Sequence, residues 1–142
     1  MADEEQVGDW FLAFLVKFMN KIPPAGMPIT LSVGGTLISG DLVSGESYFK
    51  GFADELGNAF EGGLKTPTGK EIATMLRQET AKIGEKYATT EFSERVGYVH
   101  LKGARIVQPG AQPLTIAPPL AGWWRIRLES VDGFTFGSIS AR

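Results

Sequence analysis

Residues 28–44 read PITLSVGGTLISGDLVS, and no other stretch limits the fold as tightly. Ile29, Leu31 and Val33 alternate with Thr30 and Ser32, the two-residue period of a strand with one buried face. Gly34-Gly35 follows, and glycine takes the positive φ of both central positions of a tight hairpin turn at little cost. Pairing Val33 with Thr36 sets Leu31 opposite Ile38 and Ile29 opposite Gly40, and Leu42 extends the same face. A slip of one residue would turn that whole apolar set outward, so the register is specified. The opposite face, with Thr30, Ser32, Leu37, Ser39, Asp41 and Val43, reads as mostly polar.

Before the hairpin, DWFLAFLVKFMNK predicts a helix with Asp9 as N-cap. Trp10, Phe11, Leu12, Phe14, Leu15, Val16, Phe18 and Met19 are apolar, leaving only a narrow stripe with Lys17, Asn20 and Lys21. A surface helix carries a narrower apolar face than this. Two readings stay open: the helix lies across a sheet beneath other elements, or part of it faces a second subunit, a shell surface or a membrane surface. It is too short and too weakly basic to favour the membrane. Pro23-Pro24 ends it.

After the hairpin the period changes. Tyr48, Phe49, Phe52, Leu56, Ala59 and Phe60 follow helical spacing. EGGLKTPTGK breaks the pattern. A further helix runs through Ile72, Met75, Leu76, Ile83 and Tyr87, with Thr66 or Thr68 near its start, Pro67 in its first turn, and Gly84 as a weak point. Gly63 to Lys70 is not a phosphate loop, since five residues separate its glycines and Glu71 follows Lys70.

The one histidine lies in YVHLKGARIV, residues 98–107. Val99 and Leu101 point one way and Tyr98, His100 and Lys102 the other, which places His100 on the polar face of a strand. A catalytic histidine needs an orienting acid and a nucleophile or substrate. No local constellation supplies them, so His100 reads first as a strand residue, with a pH-sensitive contact as the alternative. The chain has no cysteine, which removes thiol chemistry, disulfides and thiolate metal sites. With one histidine, no multi-histidine metal site forms in one subunit, and no cofactor is expected. Asp41, Glu46 and Asp54 are candidate carboxylates, but their spacing favours no acid pair over solvated surface.

QPGAQPLTIAPPLAG, residues 108–122, carries four prolines and reads as a loop whose Leu114, Ile116 and Leu120 pack on the sheet or on a partner. WWRIRLESVDGFTFGSIS closes the pattern. Trp124, Ile126 and Leu128 form one face, and Asp132-Gly133 predicts a two-residue hairpin turn pairing Val131 with Phe134 and Ile126 with Ile139. That pairing gathers Trp123, Arg125, Arg127, Val131, Phe134 and Phe136 on one outer face. Aromatics and arginines together are the material of protein contacts, so Trp123, Arg125, Arg127, Phe134 and Phe136 are the candidate interaction residues.

Two resemblances follow. A leading helix, a glycine-turn hairpin and a later strand ending in Lys102-Gly103 resemble the Sm-like small barrel. In that family RNA is read by Asp and Asn in the loop after the second strand. Here that region is SGESYFK, with Lys50 near the place of the Asn, a departure that weakens an RNA-binding reading. DWFLAFLVKFMNK, ITLSVGGTLISGDLVSGESYF, YVHLKGARI and WWRIRLESVDGFTFGSIS together resemble the gas vesicle accessory protein U family (GvpU). The most specific parts are VHLKGARI and the closing strand pair; residues 46–95 match only in pattern. Relatives continue into a longer polar tail than this chain, which ends at Arg142. The resemblance implies a non-enzymatic accessory protein that acts in vesicle assembly or clustering through self-association and binding to a vesicle component. It supplies no catalytic residue.

The expectation is a short acidic tail over residues 1–8 and one α+β domain over 9–142. A small, strongly bent antiparallel sheet or open barrel is built from about residues 28–44, 96–107 and 123–140, with an N-terminal helix and a helical insertion at about 46–95. A chain of 142 residues fits one such domain. Net charge of −2 and a pI near 5.4 disfavour nucleic acid as a partner, leaving an Sm-like RNA-binding module as the alternative function. The N-terminus MADEEQVGDW is acidic where a signal peptide is basic, and no apolar run reaches the roughly 18 residues of a membrane span. The expected location is the cytoplasm, in association with gas vesicles, and the expected partners are a second copy and vesicle proteins.

Overall fold

The computed structural model describes residues 8–63, 67–89, 91, 94, 96–108, 110, 112–115 and 122–139. Asp9 caps α1 (Trp10–Asn20) as its sequence predicts: its Oδ1 accepts from the Phe11 N–H at 2.7 Å. The hairpin of β1 (Gly26–Val33) and β2 (Thr36–Val43) also has the predicted register, with Leu31 against Ile38 and Ile29 against Gly40. Gly34 and Gly35 both hold positive φ, +56° and +84°, as that turn requires.

The helical insertion is a pair, α2 (Gly45–Gly63) and α3 (Pro67–Lys86). Ser44 caps α2 by accepting from the Ser47 N–H at 3.0 Å. Asn20, expected on the polar stripe of α1, is buried instead, and its Oδ1 accepts from the Gly45 N–H at 3.0 Å. One polar side chain thus ties the end of α1 to the start of α2.

β3 (Tyr98–Val107) pairs with β2 through a register shift. Ser39 opposes Arg105 and Asp41 opposes Lys102, so Gly103 and Ala104 share the single Gly40 opposite them. Gly103 sits at φ +65°, the left-handed first position of a glycine bulge. The bulge divides β3 between two partners. Arg105 and Ile106 pair with the short β4 (Leu114–Thr115), and Tyr98 to Leu101 with β5 (Trp124–Arg127). Between them the freed Ala104 N–H donates to Gly122 O at 2.9 Å. Leu114 is exposed, while Ile116 and Leu120 lie outside the described residues.

The C-terminal hairpin does not form. After β5 the chain makes a 3₁₀ turn, Leu128–Ser130, and β6 (Gly133–Phe136) pairs with β1, setting Leu31 against Phe134 and Ile29 against Phe136. Val131 does not pair with Phe134, nor Ile126 with Ile139; Ile126 opposes Val99 on β3. The reason is local geometry. A primed hairpin turn needs positive φ, and neither Asp132 nor Gly133 has it. Asp132 instead turns its carboxylate to the other hairpin, where Oδ2 accepts from the Gly34 N–H at 2.8 Å. The resulting strand order is β4-β3-β2-β1-β6 with β5 also on β3, an antiparallel sheet that is not closed.

The main core lies between α1 and one apolar face of the sheet. Leu12, Leu15, Val16 and Met19 pack against Ile29, Leu31, Leu42, Val99, Leu101 and Leu128. The other face, expected to be mostly polar, is buried in part, at Thr30, Ser39 and Val43. Ser39 Oγ accepts from the Ile139 N–H at 3.1 Å and donates to Thr30 Oγ1 at 2.6 Å, and Thr30 Oγ1 donates to Gly137 O at 2.9 Å. This hydroxyl relay holds residues 137–139 across the back of the hairpin.

Candidate functional site

The five candidate interaction residues do not share one face. Trp123 and Arg125 turn toward α2. The Trp123 indole lies edge-on to Tyr48 at 5.9 Å and fills a notch at Gly51, where a Cβ would come within 2.2 Å of its ring. Lys102 Nζ stands 5.4 Å from the centre of the Trp123 ring system. The Arg125 guanidinium stacks on the Tyr98 ring at 3.4 Å, and its Nε donates to His100 Nε2 at 3.2 Å. Arg127 is exposed and ion-paired with Glu129. Phe134 and Phe136 lie elsewhere, beside α1. They are separated because β5 and β6 attach to different strands.

His100 is buried rather than on a polar face. The helical insertion covers that side of β3 with rings: Tyr48 at 4.7 Å, Tyr87 at 5.6 Å and Phe49 at 5.7 Å. Because Arg125 donates to Nε2, that nitrogen carries no proton, and the neutral imidazole holds its proton on Nδ1. Burial, aided by the neighbouring Arg125 charge, pushes its pKa down to about 3. A group so low is a poor base near neutral pH. Among the described residues its surroundings are rings and a cation, with no carboxylate bonded to it.

The carboxylates do not converge either. Glu46 is ion-paired with Lys50 at 2.7 Å, and Asp41 and Asp54 are exposed. Among the described residues no cluster of His, Cys, Asp or Glu could hold a metal ion. Residues 45–50, where an Sm-like barrel would present its RNA-reading loop, are the first turns of α2. A groove of about 450 Å³ runs between Pro23-Pro24 and α2, but the Glu46–Lys50 pair on its wall satisfies its own charges.

The surface that stands out is aromatic. With one side of α1 in the core, helical periodicity turns the other side outward. Trp10 is 75% exposed, Phe14 56% and Phe18 52%. Ile22, one turn further, is also exposed. Phe11 joins this row to β6, its ring 5.7 Å from Phe134 and 6.3 Å from Phe136. Phe136 is itself 53% exposed. The helix therefore lies across the sheet on one side, as the first reading expects, and leaves its other side exposed. Trp10, Phe14 and Phe18 were absent from the five candidates, although the excess of apolar positions on α1 already pointed to them. No helix among the described residues is long and apolar enough to cross a membrane.

No curated protein and no solved structure matches the chain significantly. A family model described as gas vesicle protein GvpU-like matches residues 9–139, from the N-cap of α1 to the segment held by the Thr30–Ser39 relay. The chain belongs to the GvpU-like family of gas vesicle proteins.

Proposed function

We propose that this protein is a non-enzymatic accessory protein of gas vesicles, acting in the cytoplasm in vesicle assembly or clustering through self-association and contact with a vesicle component. The observation that carries this reading is the aromatic surface of α1 and β6, in a chain whose only histidine is buried and neutral. Soluble monomers rarely leave so many neighbouring aromatics in water, and surfaces of this kind serve contact rather than chemistry. Phe134 and Phe136 belong to that contact surface. Arg127 is available for a second contact at the far end of the sheet, while Trp123 and Arg125 act mainly by seating α2. No cofactor enters the mechanism.

The test is flotation. Purified protein is mixed with isolated vesicles, the vesicles are floated at low centrifugal force, and protein is assayed in each layer. The expected result is protein in the floating layer, retained after washing. Protein wholly in the subnatant, under conditions where it is folded, would contradict the vesicle contact.

A further inference from the structure

The outward residues of α1 form a single row. Trp10, Phe14 and Phe18 are each four residues apart, so they line one i±4n ridge along the helix, and exposed Ile22 follows just past its C-cap. No charge interrupts the ridge. Lys17 and Lys21 sit on the neighbouring row and are drawn aside by Glu94, at 3.9 Å and 3.4 Å. Phe11 and Phe136 widen the ridge onto the sheet edge.

The size of this surface is informative. At about 150 to 250 Å² per aromatic side chain, the exposed fractions of Trp10, Phe11, Phe14, Phe18 and Phe136 leave about 400 to 700 Å² uncovered among the described residues. The largest apolar patch of an ordinary monomer reaches about 300 to 600 Å². A standard interface takes about 800 Å² from each partner, so this patch supplies half or more of one side.

We infer that the α1 ridge is the interface of a two-fold dimer, occupied by the α1 ridge of a second copy. A ridge with four-residue spacing fits the groove beside an identical ridge, and two helices packed this way cross at about −50°. Two-fold symmetry lets each copy present the same patch and receive the same patch, so the surface is its own complement. The inference deepens the proposed contact function by naming the partner of this surface, and it rests on reading the aromatic surface as a contact surface.

The test compares the native chain with Phe14→Glu plus Phe18→Glu by sedimentation equilibrium across the micromolar range, with a thermal melt of each. The expected result is a native dimer and a monomeric variant that still melts cooperatively, at a midpoint lowered only by the lost association, with a dissociation constant raised at least about tenfold. A native protein that stays monomeric throughout, or a folded variant that dimerises equally well, would overturn the inference. If the double glutamate unfolds, Trp10→Ser plus Phe14→Ser, nearer the free end of the helix, is measured in the same way and judged by the same outcomes. A monomeric native protein that still floats with vesicles would overturn the dimer while sustaining the vesicle role.

Discussion

At the scale of single residues, His100 shows how covering an apparently polar position changes its chemistry. The alternation of YVHLKGARIV places it correctly opposite Val99 and Leu101, but a strand pattern does not reveal that an insertion fifty residues long returns to cover that side. Folded, His100 has a pKa of about 3, against about 6.5 in the open chain. Between those values the unfolded chain takes up a proton that the folded chain refuses. The stability from keeping His100 neutral is therefore fully present above about pH 6.5 and is lost as pH falls toward 3, at about 1.4 kcal/mol per pH unit. Urea unfolding at pH 7, 6 and 5 should show the native protein losing more stability with acid than a His100→Asn variant. Equal pH slopes would contradict this. By the same reasoning the imidazole remains neutral from pH 5.5 to 8, so association should not change over that range. A midpoint near pH 6.5 in the native protein that vanishes in His100→Asn would show a switch that this burial forbids.

At the scale of elements, legibility followed the range of the signal. The β1–β2 hairpin, the capped α1 and the helical insertion were legible because a period, a cap residue or a glycine turn lies within each segment. The C-terminal strands were legible as strands but not in their pairing. Asp132-Gly133 is a local turn signal, and it lost to the free edge of β1, almost a hundred residues away, and to the Gly34 N–H that Asp132 caps. Gly103 announced a special backbone position without saying that its bulge would divide β3 between β4 and β5. The same reasoning exposes weak points that contacts alone decide. Gly51→Ala should destabilise the fold by about 1 to 3 kcal/mol despite the better helix propensity of alanine, because its Cβ collides with the Trp123 ring. A denaturation midpoint at or above that of the native chain would show that the indole moves aside. Thr30→Val removes the middle of the hydroxyl relay and leaves Gly137 O without its donor. It should cost about 1 to 3 kcal/mol and speed amide exchange at Ile139, whereas an unchanged exchange rate would mean that the relay does not hold the segment.

At the scale of the whole molecule, the sheet has two covered faces and one unusual exposed surface. α1 and the main core cover one side, and the helical insertion and residues 137–139 cover part of the other. Other apolar side chains, such as Met75 and Leu114, are exposed elsewhere, but among the described residues the neighbouring exposed aromatics gather on the outer side of α1 with the adjoining end of β6. The site was legible only in part. Phe134 and Phe136 were placed in it by residue type, whereas Trp123 and Arg125 were assigned to a shared outer face that their pairing partners do not make. The α1 aromatics needed the structure to show which half of an almost wholly apolar helix the core leaves free.

The central claim is that this surface makes the protein a contact protein of gas vesicles, and the most direct test is vesicle clustering by light scattering. Equal amounts of isolated vesicles receive either native protein or Phe14→Glu plus Phe18→Glu, with folding of both checked by circular dichroism. The account predicts that native protein raises scattering and that the folded variant leaves vesicles dispersed. Equal clustering by the two proteins, or no clustering by the native one at saturating concentration, would contradict it.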